Sequence, residues 1–177
     1  ILRCLVGSEM CIRDSRSKER MPSNLGEFRV PLGEPEVIRE GTDVTVVSYG
    51  STLNLCSQAV DRLAGLGVEV ELIDVRTLLP FDRTGTIARS VAKTHRVLFI
   101  DEDVPGGATA YMLERTLVGS DLWIHLDAAP QTLSAAPHLP AYGTDGDYFS
   151  KPSVDDIVER VHAMVAEDDP AGHPDLV

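Results

Sequence analysis

Four short stretches of this 177-residue chain gather the groups that could do chemistry: Ser48 to Ser51, Asp74 to Asp82, Asp101 to Gly107 and Asp127 to Pro130. Asp101, Glu102 and Asp103 are three consecutive acids. Carboxylates of this kind bind hard cations or act as general acids and bases. Neighbours on one segment do not converge on a point by themselves, so a solvated or interface loop is the preferred reading. Gly106-Gly107 opens a helical pattern, and free backbone N–H groups there could cradle an anion. The preceding acids would repel a phosphate, which favours a tight loop where two backbones approach closely. The SYGST loop from Ser48 has one glycine, whereas a dinucleotide fingerprint needs three. The histidines at 95, 125, 138, 162 and 173 match no metal spacing, and His138 is the best placed of them to meet a ligand or partner. Cys56 falls among apolar helical neighbours, where inert packing is expected. No GxSxG, HExxH or P-loop string occurs. No catalytic, cofactor-binding or metal-ligating set is assigned to this chain.

What makes these stretches one neighbourhood is the pattern between them. Val44–Val47, Val68–Val75, Arg96–Ile100 and Leu122–Leu126 are short apolar runs that read as strands, and a further extended piece is expected at Phe28–Leu32. Helices alternate with them. Leu55, Ala59, Leu63 and Leu66 recur at spacings of three and four, a buried face. That helix ends at Gly65 and Gly67, residues able to take positive φ. Asp82 is placed to cap the next helix, through Ala92, and another follows Gly107 through Leu117. Ser153 with Asp156 forms a capping-box pattern ahead of an apolar stripe from Val154 to Val165. Alternating strands and helices predict an α/β fold: a three-layer, mainly parallel open sheet of about five strands with helices on both faces. In such a sheet, ligands bind beyond the carboxyl ends of the strands, where all four chemical stretches fall.

The bulk numbers narrow the partners. Hydrophobic residues make up 43% and charged residues 25%, the balance of a globular domain. A net charge of −12 argues against nucleic acid and anionic membranes, and no apolar run approaches the ~20 residues that span a bilayer. Cys4, Cys11 and Cys56 are odd in number and form no CxxC, so neither a disulfide framework nor a zinc site is expected. A reducing compartment, the bacterial cytoplasm, fits. Residues 1–15 (ILRCLVGSEMCIRDS) share no pattern with the rest of the chain and resemble a translated adaptor artefact. They are not expected to be native, which would make the chain a fragment of something longer. Residues 16–40 read as a linker or lead-in, 41–167 as the domain, and 168–177 as a flexible tail.

Three strings carry a family resemblance: EGTDVTVVSYGS (Glu40 to Ser51), ELIDVRTLLPFD (Glu71 to Asp82) and KTHRVLFIDED with its later glycines (Lys93 to Gly107). They resemble the C-terminal domain of beta subunits of thiamine-dependent 2-oxo acid dehydrogenases, enzymes of the transketolase type. PLGEPEVIREG resembles the lead-in to that domain, and PAYGTDGDYFSKPSVDDI a bacterial variant in which alpha and beta subunits are often fused. The resemblance implies oxidative decarboxylation of a 2-oxo acid, of pyruvate or branched-chain type, with acyl transfer to lipoamide. It implies thiamine diphosphate and Mg held outside this chain, with none expected on the fragment, which alone would be inactive. Implied partners are an alpha-type subunit or domain, a second beta-type domain and an acyltransferase core.

Within the resemblance, Asp74, Arg76, Thr77, Pro80 and Asp82 match the family's strand-end motif. Glu102, Gly106 and Gly107 match its acidic-then-glycine loop. Both sets carry over as fold and interface positions. The chain departs from the commoner GGxxAE pattern with GGATAYMLE, bringing Tyr111 and Met112. Glu159, Glu167, Asp168 and Asp169, with His138, are the expected docking residues for a basic acyltransferase module. A fragment of a transketolase or deoxyxylulose-phosphate synthase is the alternative within enzymes. A non-catalytic interaction module is the alternative outside them.

Overall fold

A computed structural model describes residues 23–118, 120–138, 149–167, 170 and 172. Residues 1–31 group as one unit and residues 32–177 as another. In the first, the amides of Glu27 and Phe28 close a turn on the Asn24 carbonyl at 2.8 and 2.9 Å. The adaptor-like residues 1–15 lie outside the described residues.

The second unit holds a five-stranded sheet in the order β1-β3-β2-β4-β5. Its strands are β1 (Glu36–Arg39), β2 (Val44–Ser48), β3 (Val70–Asp74), β4 (Val97–Ile100) and β5 (Gln131–Leu133). Strands β2 to β5 run parallel, and β1 pairs antiparallel to β3. Helices among the described residues include α1 (Thr52–Gly65), α2 (Thr86–Thr94), α3 (Ala108–Leu117) and α4 (Val154–Ala166). This is the mainly parallel α/β architecture that the alternation predicts.

Both faces of the sheet are covered, so its central strands are apolar on both sides. Val44, Val46, Val70, Leu72, Leu98 and Ile100 pack against α1 and α4. The alternate positions Val47, Ile73, Val97 and Phe99 pack against Ile87 and Val91 of α2 and Met112 of α3. Burying each such side chain contributes ~1.5–3 kcal/mol. Helix α4 begins with the full capping box: the Ser153 hydroxyl accepts from the Asp156 amide, and the Asp156 carboxylate accepts from the Ser153 amide at 2.8 Å.

Three sequence expectations fail. Leu122–Leu126 forms no strand: Asp121–His125 is a short 3-10 helix, capped where the Ser120 hydroxyl accepts from the Leu122 amide. Only Leu122 of this run is buried, while Trp123 and Ile124 are exposed, so the run is apolar without being core. The neighbouring strand of β4 is instead Gln131–Leu133, where the sequence reading places no strand. Near the start, no strand forms at Phe28–Leu32; the edge strand is Glu36–Arg39, within the segment 16–40 read as linker. Pro31 cannot donate to a ladder, and the turn after Leu32 redirects the chain before it pairs.

Candidate functional site

The carboxyl ends of β2, β3 and β4 bring three of the chemical stretches to one edge, as parallel register requires. Ser48 lies opposite Asp74, and Asp101 follows the last residue of β4. The chain leaves β2 toward β3 and later leaves β4 toward β5 on the other side. The gap between β2 and β4 is therefore the point where strand order reverses, the usual crevice of an open α/β sheet.

The expected strand-end motif is a self-braced loop. Asp74 ends β3 with a half-buried carboxylate that accepts from the Arg76 amide at 2.9 Å. Burial raises its pKa, and that hydrogen bond offsets only part of the rise. Arg76, at φ 59, turns its guanidinium to an ion pair with Glu36 of β1. The Thr77 hydroxyl accepts from the Gly33 amide at 2.7 Å and donates to the Pro80 carbonyl at 3.1 Å. Pro80 follows a cis peptide bond from Leu79. The N-cap position itself is Gly85, but Asp82 supplies the bonds expected of it from three residues earlier: its two carboxylate oxygens accept from the Thr86 and Ile87 amides at 2.8 and 2.9 Å.

The acidic loop after β4 is equally committed. Asp101, 3% exposed, accepts from the Tyr49 hydroxyl at 2.9 Å and from the Glu102 amide at 2.8 Å. Burial, the hydrogen bond to Asp101 and the surrounding acids push the Tyr49 phenol well above its ordinary range. Glu102 meets the Ser51 hydroxyl at 3.5 Å and Lys151 at 3.8 Å. The expected reason for the two glycines was a close approach of backbones, which Gly106 does not show and Gly107 shows in part, with the Val104 carbonyl 3.1 Å from where a Cβ would be. Gly106 sits at φ +87 with open space where a Cβ would be, so its backbone conformation favours glycine. At Gly107 a Cβ would lie 2.5 Å from the Asp103 carboxylate, so a side chain fills the space. The departure at Tyr111 and Met112 is accommodated. Met112 is fully buried, and Tyr111 donates to the Leu78 carbonyl at 3.1 Å while its ring meets Phe81 edge-on at 5.9 Å. Helix α3 thus ties the acidic-then-glycine loop to the strand-end loop.

The other expected positions are scattered. His138 is exposed beyond β5, its amide donating to the Ala136 carbonyl at 2.8 Å. Glu159 is exposed midway along α4, and Glu167 at its end; Asp168 and Asp169 lie outside the described residues. His125 belongs to the 3-10 helix rather than a strand face, its carbonyl meeting His95 Nδ1 at 2.6 Å. Cys56 is buried and its thiol is pushed up to about 12 by desolvation, which leaves it unreactive.

Sequence reasoning missed the apolar part of this edge. Leu79 and Val104 are 79% and 56% exposed on its loops, and Phe149, 72% exposed, lies two residues before Lys151, which pairs with Glu102. An apolar residue beside a turn-forming Pro is the signal that points to Leu79 and Val104; Phe149 has no such neighbour. The carboxylates at this edge already hold their own loops. The residues do not fit thiamine diphosphate with its Mg. Among the described residues no group of three or more His, Cys, Asp or Glu could hold a metal ion, and the acids at the crevice have the wrong sign for a diphosphate. No helix among the described residues is long and apolar enough to cross a membrane.

Comparison with known proteins gives this edge a family. Residues 33–151 match the family described as transketolase, C-terminal domain. The chain is 36% identical over 114 residues to the pyruvate dehydrogenase E1 component subunit beta of Acholeplasma laidlawii, covering 64% of this chain and 33% of that protein. It is 32% identical over 149 residues to the corresponding subunit of Mesostigma viride, covering 84% and 44%. A split-gene transketolase, solved as an inactive beta4 tetramer, superimposes with a TM-score of 0.62 at 22% identity over 79% of this chain and 44% of that one; that likeness speaks for the fold alone. The chain spans about a third to under a half of the length of these curated relatives. It belongs to the transketolase C-terminal domain family, and it resembles the form found in beta subunits of the pyruvate dehydrogenase E1 component.

Proposed function

We propose that this chain is the C-terminal assembly domain of a 2-oxo acid dehydrogenase, most simply one acting on pyruvate. In this reading the whole enzyme decarboxylates its substrate oxidatively and passes the acyl group to lipoamide. Thiamine diphosphate and Mg sit on domains outside this sequence, and the enzyme works in a bacterial cytoplasm. The carrying observation is the carboxyl edge of the sheet, where the carboxylates brace their own loops while Leu79, Val104 and Phe149 stand exposed. Asp74, Arg76, Thr77, Pro80, Asp82, Glu102, Gly106 and Gly107 shape that edge for contact with an alpha-type subunit and a second beta-type domain. Exposed apolar groups on a braced frame are what an interface needs.

The test is reconstitution. Mixed with an alpha-type subunit and the remaining beta domain of a relative, the chain should co-sediment with them and restore 2-oxo acid-dependent acylation of lipoamide, while the chain alone stays inactive. A folded chain that associates with neither would overturn the reading. Docking of the acyltransferase is assigned to Glu159, Glu167, Asp168 and Asp169, with His138 as a further contact. Reversing the four acids should weaken binding of a basic acyltransferase module and flatten its salt dependence. Binding that is unchanged across a salt series would sink that assignment.

A further inference from the structure

We draw no further inference here: the strongest candidate, the exposed apolar patch of Val118, Trp123 and Ile124 on and beside the short 3-10 helix at the amino-terminal end of the sheet, carries nothing because no feature of the structure shows what covers it.

Discussion

Two acids on β3, Glu71 and Asp74, lie three positions apart and are held in opposite ways. Glu71, toward the amino-terminal end, has a side chain only 4% exposed; it pairs with Lys93 of α2 and accepts from the Gly41 amide at 3.3 Å. Beside it the Thr45 hydroxyl bonds those of Ser90 and Thr94, each at 2.6 Å. Burial alone would raise the Glu71 pKa, but hydrogen bonds from Lys93, Ser90 and Gly41 outweigh it and bring the value below the ordinary range. Asp74, at the carboxyl end, is half-buried and held by one backbone hydrogen bond, and its pKa moves up. One end of the sheet satisfies its charge internally. The other holds its carboxylates with backbone and hydroxyl donors rather than a buried cation, and leaves Leu79 and Val104 exposed on its loops.

Breaking the closed end should produce the largest effect. In Lys93→Met the Glu71 carboxylate stays buried without its cation; such a loss costs about 3 kcal/mol where both partners are buried, and about 2 kcal/mol here because solvent reaches the 42%-exposed Lys93 side chain. The pH dependence fixes the cause. In the wild type Glu71 has a depressed folded pKa, so its stabilising contribution is present above the unfolded carboxylate value and is lost as pH falls through the folded one. In Lys93→Met the uncompensated acid should instead titrate high, and the variant should regain stability on acidification. Urea unfolding at pH 7 and pH 4 should therefore show the gap between the two proteins narrowing toward acid. A gap independent of pH would mean that lost packing, not charge, explains the cost.

At the carboxyl end, Asp82 and Asp101 are each held by two hydrogen bonds, and Asp82 also fixes a helix. Asp82 caps α2 through two backbone bonds and sits at φ 34. Asp82→Ala should lose about 1–2 kcal/mol, read as a drop in thermal midpoint, while Asp82→Asn, which keeps one of the two acceptor oxygens, should lose less. An Asp82→Ala variant as stable as the wild type would show that the cap contributes nothing.

Asp82 also shows which parts of the fold the sequence made legible. Its cap, and the Ser153–Asp156 box on α4, are bonds between near neighbours in the chain, so residue type and spacing specify them. The Glu71–Lys93 pair joins residues 22 apart, and Tyr49–Asp101 joins residues 52 apart. These depend on strand register, which pattern alone does not supply. Alternation did place Asp74, Asp82 and Asp101 on one edge, because parallel strands put all their carboxyl ends together. It failed at Leu122–Leu126, where five residues of mostly apolar character are too few to separate a strand from a 3-10 turn, and at Gln131–Leu133, a strand too short to leave a period. At Gly107 the glycine was noticed but only part of its reason, since a Cβ would first meet the Asp103 side chain at 2.5 Å and then the Val104 carbonyl at 3.1 Å.

Asp74 tests the contrast from its other side. Asp74→Asn keeps an acceptor for the Arg76 amide and removes a charge that burial disfavours. At pH 7 it should stabilise the chain by no more than about 0.5 kcal/mol. The folded pKa of Asp74 is raised, so the wild type gains stability as pH falls through it. The advantage of the variant should therefore shrink on acidification, the same direction of change that Lys93→Met shows for its deficit. Chemical denaturation of both variants at the same two pH values measures this. A destabilised Asp74→Asn would mean that the ionised form is satisfied, and the carboxyl edge would then be as closed as the other.

The smallest effect on stability should come from Leu79→Asp. Leu79 is 79% exposed, and the loop beneath it is held by other groups: Thr77 to Pro80, Tyr111 to the Leu78 carbonyl, and Asp82 to α2. Placing a carboxylate there should change the unfolding free energy by less than about 0.5 kcal/mol. On the proposed function it should nevertheless weaken co-sedimentation with the alpha and beta partners, because an unpaired charge enclosed by an interface must be desolvated on binding. The two readouts separate a role in folding from a role in assembly. If stability falls as far as in Lys93→Met, Leu79 packs on this chain itself and the carboxyl edge is no open surface. If stability holds and association is also unchanged, the edge is open but the partners bind elsewhere. Only intact folding with weakened association keeps the two ends of β3 in the relation described, one closed on itself and the other completed by a neighbour.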